Sequence, residues 1–119
     1  MDPLKIESTA GKSAGVRILR LSGAFTLKEV FDFQSVVRGL DDPVLIIDLS
    51  FVPYMDSASL GSIVSVHTSS QRQNRRYALV GASERLQTLF KVGGVSKILI
   101  TYPTLEEAEE ALTRKTAAP

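Results

Sequence analysis

Apolar and polar residues alternate along Leu4-Lys5-Ile6-Glu7 and again along Val16-Arg17-Ile18-Leu19-Arg20-Leu21, with a two-glycine stretch from Thr9 to Gly15 between them. A period of two marks a strand with one buried face, so these segments predict two neighbouring antiparallel strands, the second ended by Gly23. The period then changes. Thr26 stands three residues before Glu29, the spacing at which hydroxyl and carboxylate each take an otherwise unpaired backbone N–H at a helix start. Leu27, Val30, Phe31 and Gln34 follow at helical spacing, with Val37 and Leu40 continuing the same side. An amphipathic helix is predicted there, stopped by Gly39 and the Asp41-Asp42-Pro43 turn.

Val44-Leu45-Ile46-Ile47-Asp48-Leu49 is apolar without alternation, as a strand buried on both faces reads. After a loop from Ser50 to Asp56, a helix is predicted from Ser57 to about Arg72, with Leu60, Ile63, Val64 and His67 on one face. Tyr77-Ala78-Leu79-Val80 is a further buried strand, closed by Gly81. Ser83 opens a short helix through Leu86, Leu89 and Phe90, and Gly93-Gly94 supplies the left-handed backbone that ends helices. Ile98-Leu99-Ile100-Thr101 is the last predicted strand. Thr104 and Glu107 repeat the capping spacing before a helix carrying Leu105, Ala108, Ala111 and Leu112. Strand, strand, helix, then three strand–helix units predict an α/β fold: a small mixed β-sheet flanked by about four helices. The expectation is one domain over residues 1–119, its core at about 4–113 and residues 114–119 a frayed tail.

Composition narrows the function more than the fold. Fourteen basic against 13 acidic residues leave a formal charge of +1, too little field to gather nucleic acid or anionic lipid. The local cluster Arg72, Arg75 and Arg76 has no interleaved aromatics and reads as a solvated helix end, where cations complement the dipole. With no cysteine there is no disulfide, thiolate nucleophile or cysteine-ligated zinc, which fits a reducing cytoplasm. The first residues lack the pattern of a secretory signal, and the longest aliphatic run, Val44 to Ile47, cannot span a bilayer. Neither membrane insertion nor direct nucleic-acid binding is expected.

Enzyme signatures are missing too. His67 is the only histidine, and it shares a face with Leu60 and Val64, so it reads as a packing residue. No nucleophile elbow or phosphate-binding glycine loop occurs, and one histidine with scattered carboxylates makes no metal site. Asp41-Asp42 are turn formers, while Glu106, Glu107, Glu109 and Glu110 sit at the favourable positive end of the last helix. No catalytic residue and no cofactor are expected.

One segment stands apart: Asp48-Leu49-Ser50-Phe51-Val52-Pro53-Tyr54-Met55-Asp56-Ser57-Ala58-Ser59-Leu60-Gly61. A buried strand ends, a short aromatic-bearing loop follows, and a helix opens on Asp-Ser-Ala-Ser. Asp56 or Ser57 caps that helix by accepting a bond from a first-turn N–H. The same geometry makes Ser57 a place where a phosphate's charge is tolerated by the dipole yet opposed by Asp56. Both readings can hold together.

This segment resembles the signature of STAS domains, particularly bacterial anti-sigma factor antagonists, which typically read Asp-Leu-Ser, a few residues, then Met-Asp-Ser-(Ser/Thr)-Gly-Leu-Gly. Leu21-Ser22-Gly23 and Leu89-Phe90-Lys91-Val92-Gly93-Gly94-Val95 extend the likeness over nearly the whole chain. Three positions depart from it: Ala58 replaces Ser or Thr, Ser59 replaces Gly, and Ala24-Phe25-Thr26 stands where an acidic residue, an apolar one and Asp are common. The resemblance implies a domain that binds an anti-sigma factor with serine kinase activity when unphosphorylated. It implies release on phosphorylation of Ser57 and resetting by a protein phosphatase, with the ATP held by the partner. The expected contact surface is Tyr54, Met55, Asp56, Ala58, Ser59 and Ser62. Two alternatives stay open: an unphosphorylated STAS scaffold or subunit of a larger signalling or transport assembly, and a small-molecule binder with a pocket near Asp56.

Overall fold

A computed structural model describes residues 4–114. The elements are β1 (Lys5–Ala10), β2 (Val16–Ser22), α1 (Leu27–Arg38), β3 (Val44–Phe51), α2 (Ser57–Arg72), β4 (Arg76–Val80), α3 (Glu84–Val92), β5 (Thr101–Tyr102) and α4 (Leu105–Thr113). The strands lie in chain order in one mixed sheet; β1 is antiparallel to β2, and β2 to β5 run parallel. Of the tail expected to fray, all but Arg114 lies outside the described residues.

The capping box forms at α1, and at α4 only its hydroxyl half does. The Thr26 N–H donates to Glu29 Oε1 at 2.8 Å, and the Glu107 N–H donates to Thr104 Oγ1 at 3.2 Å. Alternate residues of the parallel strands serve two cores. Leu45, Ile47 and Leu49 face Phe33 of α1, Ile63 of α2 and Phe90 of α3, while Val44 and Ile46 pack with Ala108 and Leu112 of α4 on the opposite face. Burial on both faces is why β3 shows no period in its sequence.

The last strand is shorter and later than the apolar run predicts. The Ile98 and Leu99 N–H groups both turn back onto the Val95 carbonyl, so only Thr101 and Tyr102 pair with β4. Leu99 alone of that run is buried, at 5% exposure, whereas Ile98 and Ile100 are 48% and 40% exposed.

His67 packs edge-on against Tyr77, and its Nδ1 lies 2.7 Å from the Tyr77 hydroxyl. That oxygen also accepts the Ile100 N–H at 3.1 Å, tying α2 to the chain entering β5. Burial pushes the Tyr77 hydroxyl above its ordinary pKa, against the opposing pull of the Ile100 N–H. Tyr77→Phe leaves both partners unpaired and should cost about 1 kcal/mol. Urea unfolding measures this, and an unchanged midpoint at equal slope would show the bonds to be idle.

Candidate functional site

The loop between β3 and α2 is held from below and from the side. Val52 and Met55 enter the core at 2% and 3% exposure. Beyond the end of β2, the Gly23 N–H donates to the Phe51 carbonyl at 3.0 Å and the Phe25 N–H to the Tyr54 carbonyl at 2.9 Å. These bonds carry parallel pairing past the strands, as an isolated bridge between Phe25 and Met55. With Val52 and Met55 anchored, Tyr54 and Phe51 are turned outward, at 42% and 56% exposure. At the root of the loop, Asp48 pairs with Arg20 at 3.3 Å and accepts the Ser50 N–H at 2.9 Å.

Asp56 settles which residue caps α2. Its Oδ1 accepts the Ser59 N–H at 2.9 Å, and its own N–H donates to Ser59 Oγ at 3.0 Å. Its Oδ2 reaches across to the first N–H of α1, that of Leu27, at 3.0 Å. One carboxylate therefore serves the positive ends of two helices. Partial burial pulls its pKa upward, but the Ser59 and Leu27 N–H groups and the Ser59 hydroxyl outweigh it and hold the carboxyl below its ordinary value. Ser57, the first residue of α2, is exposed, and its hydroxyl has no hydrogen-bond partner among the described residues.

The expected contact residues divide. Tyr54 and Ser57 are exposed and Asp56 and Ala58 partly so. Met55, Ser59 and Ser62 are not surface groups: they are 3%, 0% and 2% exposed. The two hydroxyls are spent inside, Ser59 Oγ donating to the Asp56 carbonyl and Ser62 Oγ to the Ser59 carbonyl. Serine at the usual glycine position thus completes the cap that Asp56 begins.

Sequence reasoning placed Leu27 and Phe31 on the buried side of α1, yet they are 68% and 73% exposed. Val92 is 80% exposed, and a Cβ added to the adjacent Gly93 would meet Leu60 Cδ2 at 2.8 Å, so the end of α3 lies against the first turn of α2. Arg85 of α3 stacks over Tyr54, its Cζ 5.6 Å from the ring centroid. Large apolar side chains are thus left exposed on α1, on the β3–α2 loop and at the end of α3. The missed signal was Phe33, which is fully buried and stands nearly opposite Phe31 on the helix, so the two cannot share one packed face.

A cavity of about 580 Å³ lies instead at the end of β4, lined by Gly81, Gln87, Phe90, Lys91 and Tyr102; no residue from Tyr54 to Ser59 borders it. No group of three or more candidate metal ligands occurs among the described residues. No described helix is long and apolar enough to cross a membrane.

The family description that matches is the STAS domain, over residues 8–108. An anti-sigma-B factor antagonist of Listeria monocytogenes is 38% identical over 73 residues, 61% of each chain, so the match spans less than two-thirds of that relative's length. The fold superposes on a Thermotoga maritima protein provisionally named an anti-sigma factor antagonist, with a TM-score of 0.81 and 23% identity over 92% of this chain and 95% of that one. It also superposes on the anti-sigma factor antagonist SpoIIAA in its unphosphorylated form, with a TM-score of 0.72 and 17% identity over 92% and 95% of the two chains. Because that family match runs from the second half of β1 to the first half of α4, the chain belongs to the STAS domain family.

Proposed function

We propose that the chain is an anti-sigma factor antagonist that docks on an anti-sigma factor through the surface around Ser57. The partner is a serine kinase, phosphorylation of Ser57 releases it, and a phosphatase restores the docking form. The ATP that such a kinase consumes puts the exchange in the cytoplasm. The observation that carries this reading is an exposed hydroxyl at the first residue of α2, unbonded among the described residues and next to the Asp56 carboxylate, with Leu27, Phe31, Tyr54 and Val92 exposed on the neighbouring elements. A phosphate adds roughly 1.5 to 2 negative charges at neutral pH. Here it would meet the positive end of α2, which tolerates it, and Asp56, which repels it. Folding survives while the centre of an otherwise apolar contact becomes strongly anionic.

The test is incubation with the cognate anti-sigma kinase and ATP, read by intact mass. One added phosphate is expected on the wild-type chain and none on Ser57→Ala. An unmodified wild-type chain, or equal yield on the variant, would remove the switch. Binding that Ser57→Asp leaves unaltered would favour the constitutive scaffold instead.

A further inference from the structure

Helices α1 and α2 run side by side in the same direction. Their first residues meet at Asp56, through its bond to the Leu27 N–H, and their last turns end together at Arg38 and Arg72. Between them lies a groove of about 340 Å³, with Gln34 and Arg38 on one wall and Ser62, Ser65 and Arg72 on the other. Leu27, Phe31, Gln34 and Arg38 are spaced by four, three and four residues, so they form one stripe along that rim. The α2 side is low: a Cβ added at Gly61 would meet nothing within 4 Å. The α1 rim therefore runs from an apolar end at Leu27 and Phe31, beyond the groove's own lining, to a basic end about three turns away.

Within the groove's own walls the basic end has no acid to answer it; Asp41 and Asp42 border the next cavity, beyond Arg38. No Asp or Glu occurs from Ser57 to Arg72, and Arg38 is the only charge on the α1 stripe. Neither Arg38 nor Arg72 forms an ion pair among the described residues. Helix-end cations do complement the dipole. Here, however, Arg75 already serves the chain after α1, donating to the Leu40 and Asp42 carbonyls. The two remaining guanidinium groups are left over.

We propose that this groove receives one helix of the partner protein, laid antiparallel to α1 and α2. Carboxylates in its first turn face Arg38 and Arg72, and apolar residues about three turns later cover Leu27 and Phe31. The direction follows from electrostatics. Acidic residues favour a helix's own first turn, and a positive helix start belongs against the negative ends of α1 and α2. The spacing follows from α1: the eleven steps from Leu27 to Arg38 rise about 16 Å. The proposal rests on the reading of the Ser57 face as the partner contact, and it specifies the partner's chemistry there. A phosphate on Ser57 would stand at the apolar end of the seat.

The test uses the full ¹⁵N-labelled chain, two-dimensional NMR and synthetic peptides of roughly 15 residues. One peptide carries glutamates in its first turn and leucines in its last, on an alanine background. A second has the order reversed, and a third has lysines for glutamates. The first should shift the Leu27, Phe31, Ser65 and Arg72 amides. The other two should bind about tenfold more weakly, as should the first peptide to an Arg38→Gln, Arg72→Gln double variant. No groove shifts at about 1 mM peptide, or equal binding by the reversed peptide, would overturn the proposal. So would the same shifts produced by oligothymidylate, which would mark a patch for anions of any kind. No kinase enters this experiment, so its failure leaves the phosphorylation reading standing, and a chain that is never phosphorylated leaves the peptide result readable.

Discussion

Asp56→Ala is expected to lower the unfolding free energy by about 2 kcal/mol at neutral pH, roughly twice the effect of losing an ordinary cap. The doubling comes from geometry. One oxygen of Asp56 holds the Ser59 N–H of α2 and the other holds the Leu27 N–H of α1, so alanine strips two helix starts at once. Asp56→Asn has one amide oxygen to share and should fall between the two forms. The pH dependence separates this cause from general damage. The folded-state pKa is depressed, so the contribution is fully present above the unfolded value of about 3.9 and is lost as pH falls through the lower folded value. The gap between wild type and Asp56→Ala should therefore be flat from pH 7 to about pH 5 and narrow below about pH 4. Urea unfolding across that range measures it. A gap that stays constant down to the acid limit would mean that the carboxylate's charge and bonds are not what stabilises the site.

Legibility in the sequence followed how local each interaction is. The start of α1 was readable because Thr26 and Glu29 satisfy each other three residues apart, and β3 because burial on both faces leaves an unbroken apolar run. Asp56 and Ser57 were found as a pair, and Asp56 caps through the local bond to the Ser59 N–H; what the sequence did not show is the second bond, made across 29 residues to Leu27. The exposure of Leu27 and Phe31 was misread, because the periodicity offered more than one apolar side and only packing shows that the covered one is centred on Phe33. Ser59 and Ser62 looked like surface groups because serine usually is one. Both are buried because each hydroxyl donates to a carbonyl three residues earlier, which makes a polar side chain cheap to enclose. The displaced β5 has a similar origin: an apolar run suits a strand, but Val95 captures the two N–H groups that would have extended it.

Gly81→Ala should cost about 3 kcal/mol. Gly81 follows β4 at a φ of +73°, where an L side chain adds roughly 1–2 kcal/mol of backbone strain. Space adds the rest. A Cβ there would lie 2.0 Å from Ser50 Oγ, 3.0 Å from Ser50 Cβ and 3.2 Å from its Cα. Ser50 cannot simply swing away, since its N–H is held by Asp48 and its neighbours pair with β2. Ser50→Gly combined with Gly81→Ala should recover the clash and leave only the strain, so the two changes couple by more than about 1 kcal/mol in a double-mutant cycle followed by urea unfolding. Additive costs would show that the contact is not the cause. The damage should also stop short of the proposed phosphorylation site. Val52 and Met55 pin the loop between Ser50 and Asp56 into the core, so a displaced Ser50 leaves the Asp56–Leu27 bond and the free Ser57 hydroxyl where they are. Gly81→Ala should therefore unfold at lower urea while taking up phosphate to the same extent as wild type at temperatures where both are folded. A parallel loss of phosphorylation would mean that strain at the end of β4 travels along the loop to the start of α2.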